Sequence, residues 1–144
     1  MFLKNKFIMF KIVVFIAPIL FSRINFNAYL KGSKPNIYQL LFSILFVALW
    51  FLYGLYMGNK KVNYFLKLST LYWGTGLLLF VLGYFSNLYV IFIPVALYFA
   101  GPLYGLKYFL DTLPDIQFVV LSIIIIYSLS VTGYIVGKNM RHSG

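Results

Sequence analysis

Charged residues punctuate this chain at wide intervals, and the apolar stretches between them are long enough to cross a bilayer. A helix needs about 20 apolar residues to span the hydrocarbon. The stretches 37–58, 68–85, 88–106 and 116–137 meet or approach that length, and none contains a charge. On insertion scales an Asp, Lys or Arg at a helix centre costs ~2.5–3.5 kcal/mol, so uncharged runs of this length point to spans. The pattern predicts an all-α fold: a polytopic helical membrane bundle forming a single domain over residues 1–144, with 138–144 as a basic tail.

The N-terminal segment 7–22 leaves two readings open. Lys4, Lys6 and Lys11 precede an uncharged run over 12–22. A basic start and short apolar core resemble a signal peptide, but Arg23-Ile24-Asn25 offers no small-x-small cleavage site. Either the segment is a short fifth span with Lys11 snorkelling to the head groups, or it lies in the interface or re-enters. Five spans put the termini on opposite sides; four put them on the same side.

The links are short. Residues 59–67 carry Lys60, Lys61 and Lys67, Ser86-Asn87 demands a tight antiparallel hairpin, and 107–115 holds both acids. None has room for an extramembrane module.

Composition agrees with the pattern. The chain is 62% hydrophobic and 10% charged, against ~45–50% and ~25% in soluble domains. The net charge of +10 sits in loops and tails, where anionic head groups attract it. No polar surface interleaves bases with aromatics, so nucleic acid is not an expected partner. For either span count the N-terminal side is richer in Lys and Arg, which predicts a cytoplasmic N-terminus. The bias toward Phe, Ile, Asn, Lys and Tyr suggests a low-GC bacterium, and hence a bacterial cytoplasmic membrane.

Three pairs of glycines stand four apart: Gly54 and Gly58, Gly101 and Gly105, Gly133 and Gly137. Such pairs let helix backbones approach closely, either within a bundle or against a partner. The segments at 37–58 and 88–106 are expected to run in the same direction, which puts Gly54/Gly58 and Gly101/Gly105 near one membrane surface. The repeated Leu-Tyr-Gly-Leu at 52–55 and 103–106 would fit two helical hairpins related as a parallel repeat, but so narrow a composition makes such matches cheap, and chance is the better reading. Pro94 and Pro102 lie in 88–106; each frees a carbonyl four residues earlier and marks a kink, most sharply at Gly101-Pro102.

Asp111 and Asp115 fit the start of the last helix, with Thr112 as a cap and Pro114 in the first turn. His142 lies in the tail. Trp50 and Trp73 fall inside spans. Tyr38, Tyr53, Tyr56, Tyr84, Tyr89, Tyr104 and Tyr134 fall near boundaries, as an aromatic belt would.

No catalytic, cofactor-binding or metal-ligating set emerges. Cysteine is absent, and no acid or His sits within a span to relay protons or serve a nucleophile. The expectation is a nonenzymatic multi-pass protein whose partners are the lipid bilayer and another membrane protein or a second copy of itself, in an accessory, assembly or immunity-type role. The alternative is a small oligomeric channel or permease for a neutral or weakly polar solute.

Overall fold

The computed structural model describes residue 8, residues 12–110 and residues 115–140. Every element among them is helical. A π-helical turn, Ile12–Ile16, leads directly into α1, Ala17–Lys31. Then follow α2, Ile37–Asn59; α3, Tyr64–Phe85; α4, Tyr89–Phe99; a 3-10 helix, Gly101–Tyr108; and α5, Asp115–Met140.

Local chemistry sets the ends. Gly32 stops α1 in the left-handed region at φ 59°, and the Ser33 amide donates back to Ala28 O at 3.0 Å, as C-terminal glycines do. Asn36 and Gln39 open α2 as a reciprocal capping box, both bonds being 2.9 Å. Asn87 takes φ 56° in the two-residue link, and the Leu88 amide reaches Gly83 O at 2.8 Å. This link folds α4 back along α3.

Four helices are long and apolar enough to cross a membrane: Ile12–Lys31, α2, α3 and α5. The packing gives their directions. A Cβ on Gly54 would strike Ser130 and Tyr134, and one on Gly58, a turn later, would strike Tyr134 and Lys138. The numbers climb together, so α2 and α5 are parallel. Between α3 and α5 they run oppositely: Phe65 stacks on Tyr134 at 5.3 Å and Thr70 bonds Tyr127 at 2.8 Å. Ile37 and Asp115 therefore start at one end of the bundle, and α3 finishes there.

The intervening chain must begin and finish at that same end. Helix α4 descends to Phe99, whose ring lies 5.1 Å from Tyr72 and 5.6 Å from Trp73, beside the middle of α3. The axis then bends by 67° into the 3-10 helix. On the way back the Gly105 amide donates to Ser43 Oγ at 3.0 Å, Tyr104 OH donates to Ser33 O at 2.9 Å, and Lys107 pairs with Asp115. Residues 89–108 form a re-entrant pair.

Two expectations change here. Of the segment 7–22, read as a short span or as interfacial or re-entrant, the part from Ile12 belongs to a helix of 20 residues that continues through Arg23 to Lys31. The segment 88–106, read as a crossing span kinked at Gly101-Pro102, bends by 67° at that expected place and turns back there. Apolar composition reports tolerance of lipid; it does not report where Pro102, lacking an amide hydrogen, ends a helical ladder. Gly54/Gly58 and Gly105 also lie at opposite ends of α2, because Gly105 abuts Gln39 and Ser43 while Gly58 abuts Lys138. The two Leu-Tyr-Gly-Leu runs occupy unlike elements, an α-helix and a returning 3-10 helix.

Candidate functional site at the re-entrant pair

A helix that stops inside apolar surroundings leaves carbonyls without donors, and each must find a partner within the protein. Here side chains of α1 and α2 supply them. Asn25 is wholly buried. Its Nδ2 donates to Gly101 O at 2.9 Å and lies 3.3 Å from both Pro102 O and Ser43 Oγ. Ser43 Oγ donates to Pro102 O at 2.7 Å and accepts the Gly105 amide. Ser22 Oγ donates to Leu97 O. The break is thus stapled to both neighbouring helices by three small polar residues. Asn25 Oδ1 is left buried without a partner.

A second interruption sits close by. Pro18 denies Val14 O its donor four residues on, where the π turn meets α1. The hydroxyls of Tyr72 and Tyr98 both donate to that carbonyl, at 2.9 and 2.8 Å. Tyr98 therefore ties the tip of α4 to the π-helical turn that leads into α1. Beneath the tip lies an aromatic floor: Trp50 and Trp73 are 4.9 Å apart, and Tyr72 stacks on Trp50 at 5.7 Å. Gly76 makes room for Phe99 there, since a Cβ would enter its ring. The indole nitrogens of Trp50 and Trp73 and the Tyr53 hydroxyl are buried without hydrogen-bond partners.

Helix α4 separates two cavities. On one face a vestibule of about 430 Å³ opens among Tyr29, Phe80, Tyr84, Phe92, Ala96 and Asp115. On the other a lateral groove of about 540 Å³ runs between Ile19, Ser22, Arg23 and Phe26 of α1 and Pro94, Leu97 and Tyr98 of the pair. The vestibule mouth carries the Lys107–Asp115 ion pair, with Lys107 also 5.6 Å from the Tyr104 and Phe118 ring centres. Among the described residues no cluster of His, Cys, Asp or Glu is fit to hold a metal.

All six motif glycines are buried inside the chain. Gly54 and Gly58 face α5, and Gly133 and Gly137 face α2, where Cβ atoms would overlap the Phe51 and Leu55 carbonyls. Gly101 faces Ser22, and Gly105 faces Gln39 and Ser43. Pro94 sits within α4 and lines the groove, while Pro102 stands in the first turn of the 3-10 helix. Tyr53, Tyr104 and Tyr134 are core residues, not members of a belt, whereas Tyr38 and Tyr89 are exposed. Asp111, Thr112, Pro114 and His142 lie outside the described residues.

Ser22 and Ser43 lie in predicted segments but carried no role there, and the pattern of charges hid Arg23 and Asn25 as helix residues. Arg23 looked like the end of an apolar run, so Asn25 fell into a loop. The usable signal was spacing: Ser22 and Asn25 stand three apart, with Ala28 a further three on, and mark one helix face.

No family model matches the chain, and neither a curated protein nor a solved structure matches it.

Proposed function

We propose that this chain is a noncatalytic protein of a bacterial cytoplasmic membrane that receives a membrane-embedded partner in the groove beside its re-entrant pair. An accessory, assembly or immunity-type role fits such a protein. The groove carries this reading. The small-residue faces that could have docked a partner are closed within the bundle, so the opening between α1 and α4 takes their place. A photo-reactive residue at Phe26, inside the groove, is expected to give a discrete adduct in native membranes. The same probe at Leu71, exposed on α3, is expected to give none. Equal labelling at both positions would reject the groove as a docking surface.

The re-entrant pair also favours a second reading, a small oligomeric channel or permease for a neutral or weakly polar solute, because irregular backbone at membrane depth commonly lines a route. The vestibule is its entrance, but Trp50, Trp73 and Tyr72 fill the bundle beneath it. Solute flux in proteoliposomes, lost on Pro102→Leu, would favour this reading over docking.

Orientation follows from the parallel α2 and α5. Lys60, Lys61, Lys67 and Lys138 share one end of the bundle, and the sequence adds Lys4, Lys6 and Lys11 before α1 and Arg141 after α5. Lys31, Lys34 and Lys107 mark the other end. The excess of Lys and Arg supports reading that end as the cytoplasmic one, and on this reading both termini are expected on that side. A C-terminal fusion is expected to be active with a cytoplasmic reporter and silent with one that needs export; the opposite result would mean that 89–108 crosses.

A further inference from the structure

We propose that the groove holds an anionic phospholipid, with Arg23 as the anchor for its phosphate and the apolar walls as the bed for an acyl chain. This assignment rests on the reading of the groove as a docking surface and names a lipid that occupies it.

The observation behind it is a cation at the wrong depth. Arg23 lies eight residues before the end of α1 at Lys31, about 12 Å along the axis at 1.5 Å per residue. It stands level with the helix break, since Ser22 touches Gly101 and Asn25 bonds it. Arginine at the middle of a membrane helix is costly, and such residues mark functional positions unless a carboxylate pairs with them. The chain has only two acids, and the described one, Asp115, is taken by Lys107. No ion pair joins Arg23 to any described residue, and its side chain is exposed.

The groove's other polar groups are already engaged. Ser22 Oγ donates to Leu97 O, and Tyr98 OH donates to Val14 O. The remaining wall is Ile19, Phe26, Pro94 and Leu97. An occupant therefore needs one strong anionic acceptor, matched to the forked guanidinium donors, and otherwise only hydrocarbon. A free phosphate supplies no chain, and a neutral lipid supplies no net charge. A phospholipid of the leaflet at the Lys31 end supplies both, and its phosphate relieves the cost of a cation facing lipid.

Native mass spectrometry of the full chain, released in mild detergent from vesicles of phosphatidylcholine with a minority of phosphatidylglycerol, tests this. The wild type is expected to retain phosphatidylglycerol preferentially. Arg23→Gln is expected to weaken that retention by about tenfold or more, since a hydrogen bond to a charged group contributes ~1.5–3 kcal/mol. Arg23→Lys should keep part of it, Leu97→Trp should lower retention of both lipids by filling the bed, and Lys31→Gln should change nothing. Arg23→Gln should melt no lower than wild type, because the lipid-facing charge is gone. Equal retention of the two lipids by the wild type, or unchanged preference in Arg23→Gln, overturns the proposal. If a protein adduct forms at Phe26 while the lipid preference is absent, the docking reading stands and the lipid assignment falls. If neither appears, both fall.

Discussion

Gly58→Ala should unfold the bundle far more readily than its single added methyl suggests. The new Cβ would overlap the Tyr134 carbonyl and press on the Lys138 amide. Both obstacles are backbone, so no rotamer change gives way, and α2 must part from α5. Overpacking of this kind costs typically ~1–3 kcal/mol, occasionally more. We place Gly58→Ala at the upper end, and the same change at Gly137, against the Leu55 carbonyl, beside it. Gly74→Ala is the control. Nothing lies within 4 Å of its Cβ position, so there the better helix former should be neutral or stabilising by ~0.5–1 kcal/mol. Thermal unfolding in detergent separates the cases. A Gly58→Ala protein as stable as Gly74→Ala would mean that the α2–α5 contact is not as described.

The second large effect is expected at Asn25. Leucine is nearly isosteric and would suit an apolar helix, so hydropathy alone calls Asn25→Leu harmless. The geometry says otherwise. Gly101 O would lose its side-chain donor, and Pro102 O would retain only Ser43. A buried polar group left unpaired costs ~1–3 kcal/mol. Hydrogen exchange should rise sharply across 101–108 and spread less into α2 and α5, whose glycine seam is remote from the change. Ser43→Ala should do less harm, because Asn25 still reaches Pro102 O and only the Gly105 amide is stranded. Unchanged protection in Asn25→Leu would show that the staple does not hold the pair.

The sequence carries the bundle more openly than the site. Long uncharged runs give α2, α3 and α5 within a few residues, because lipid demands length and apolarity from any crossing helix. Ser86-Asn87 gives the hairpin, since two residues leave no other path. The re-entrant pair is opaque for the same reason that the spans are clear. Phe99, Leu103 and Pro102 are apolar whether the chain continues or turns back, and direction is decided by long-range partners that local composition does not contain. Arg23 is the sharpest case. A charge ordinarily ends a span, and here α1 passes through it, so Asn25 and Phe26 fall outside the segment that the apolar run predicts.

The parallel glycine seam has a consequence for how the chain is made. As it is synthesised, residues 88–106 are apolar enough to be taken up as an ordinary crossing. That would deliver α5 upside down, with Gly133 and Gly137 at the opposite end from Gly54 and Gly58. Only when the segment turns back onto Asn25 and Ser43 does α5 arrive in the direction that lets the two glycine pairs mesh. The seam thus fits one direction of α5 alone: with that helix inverted, Gly133 and Gly137 would not meet the backbone of α2, and the bundle would lack its tightest contact.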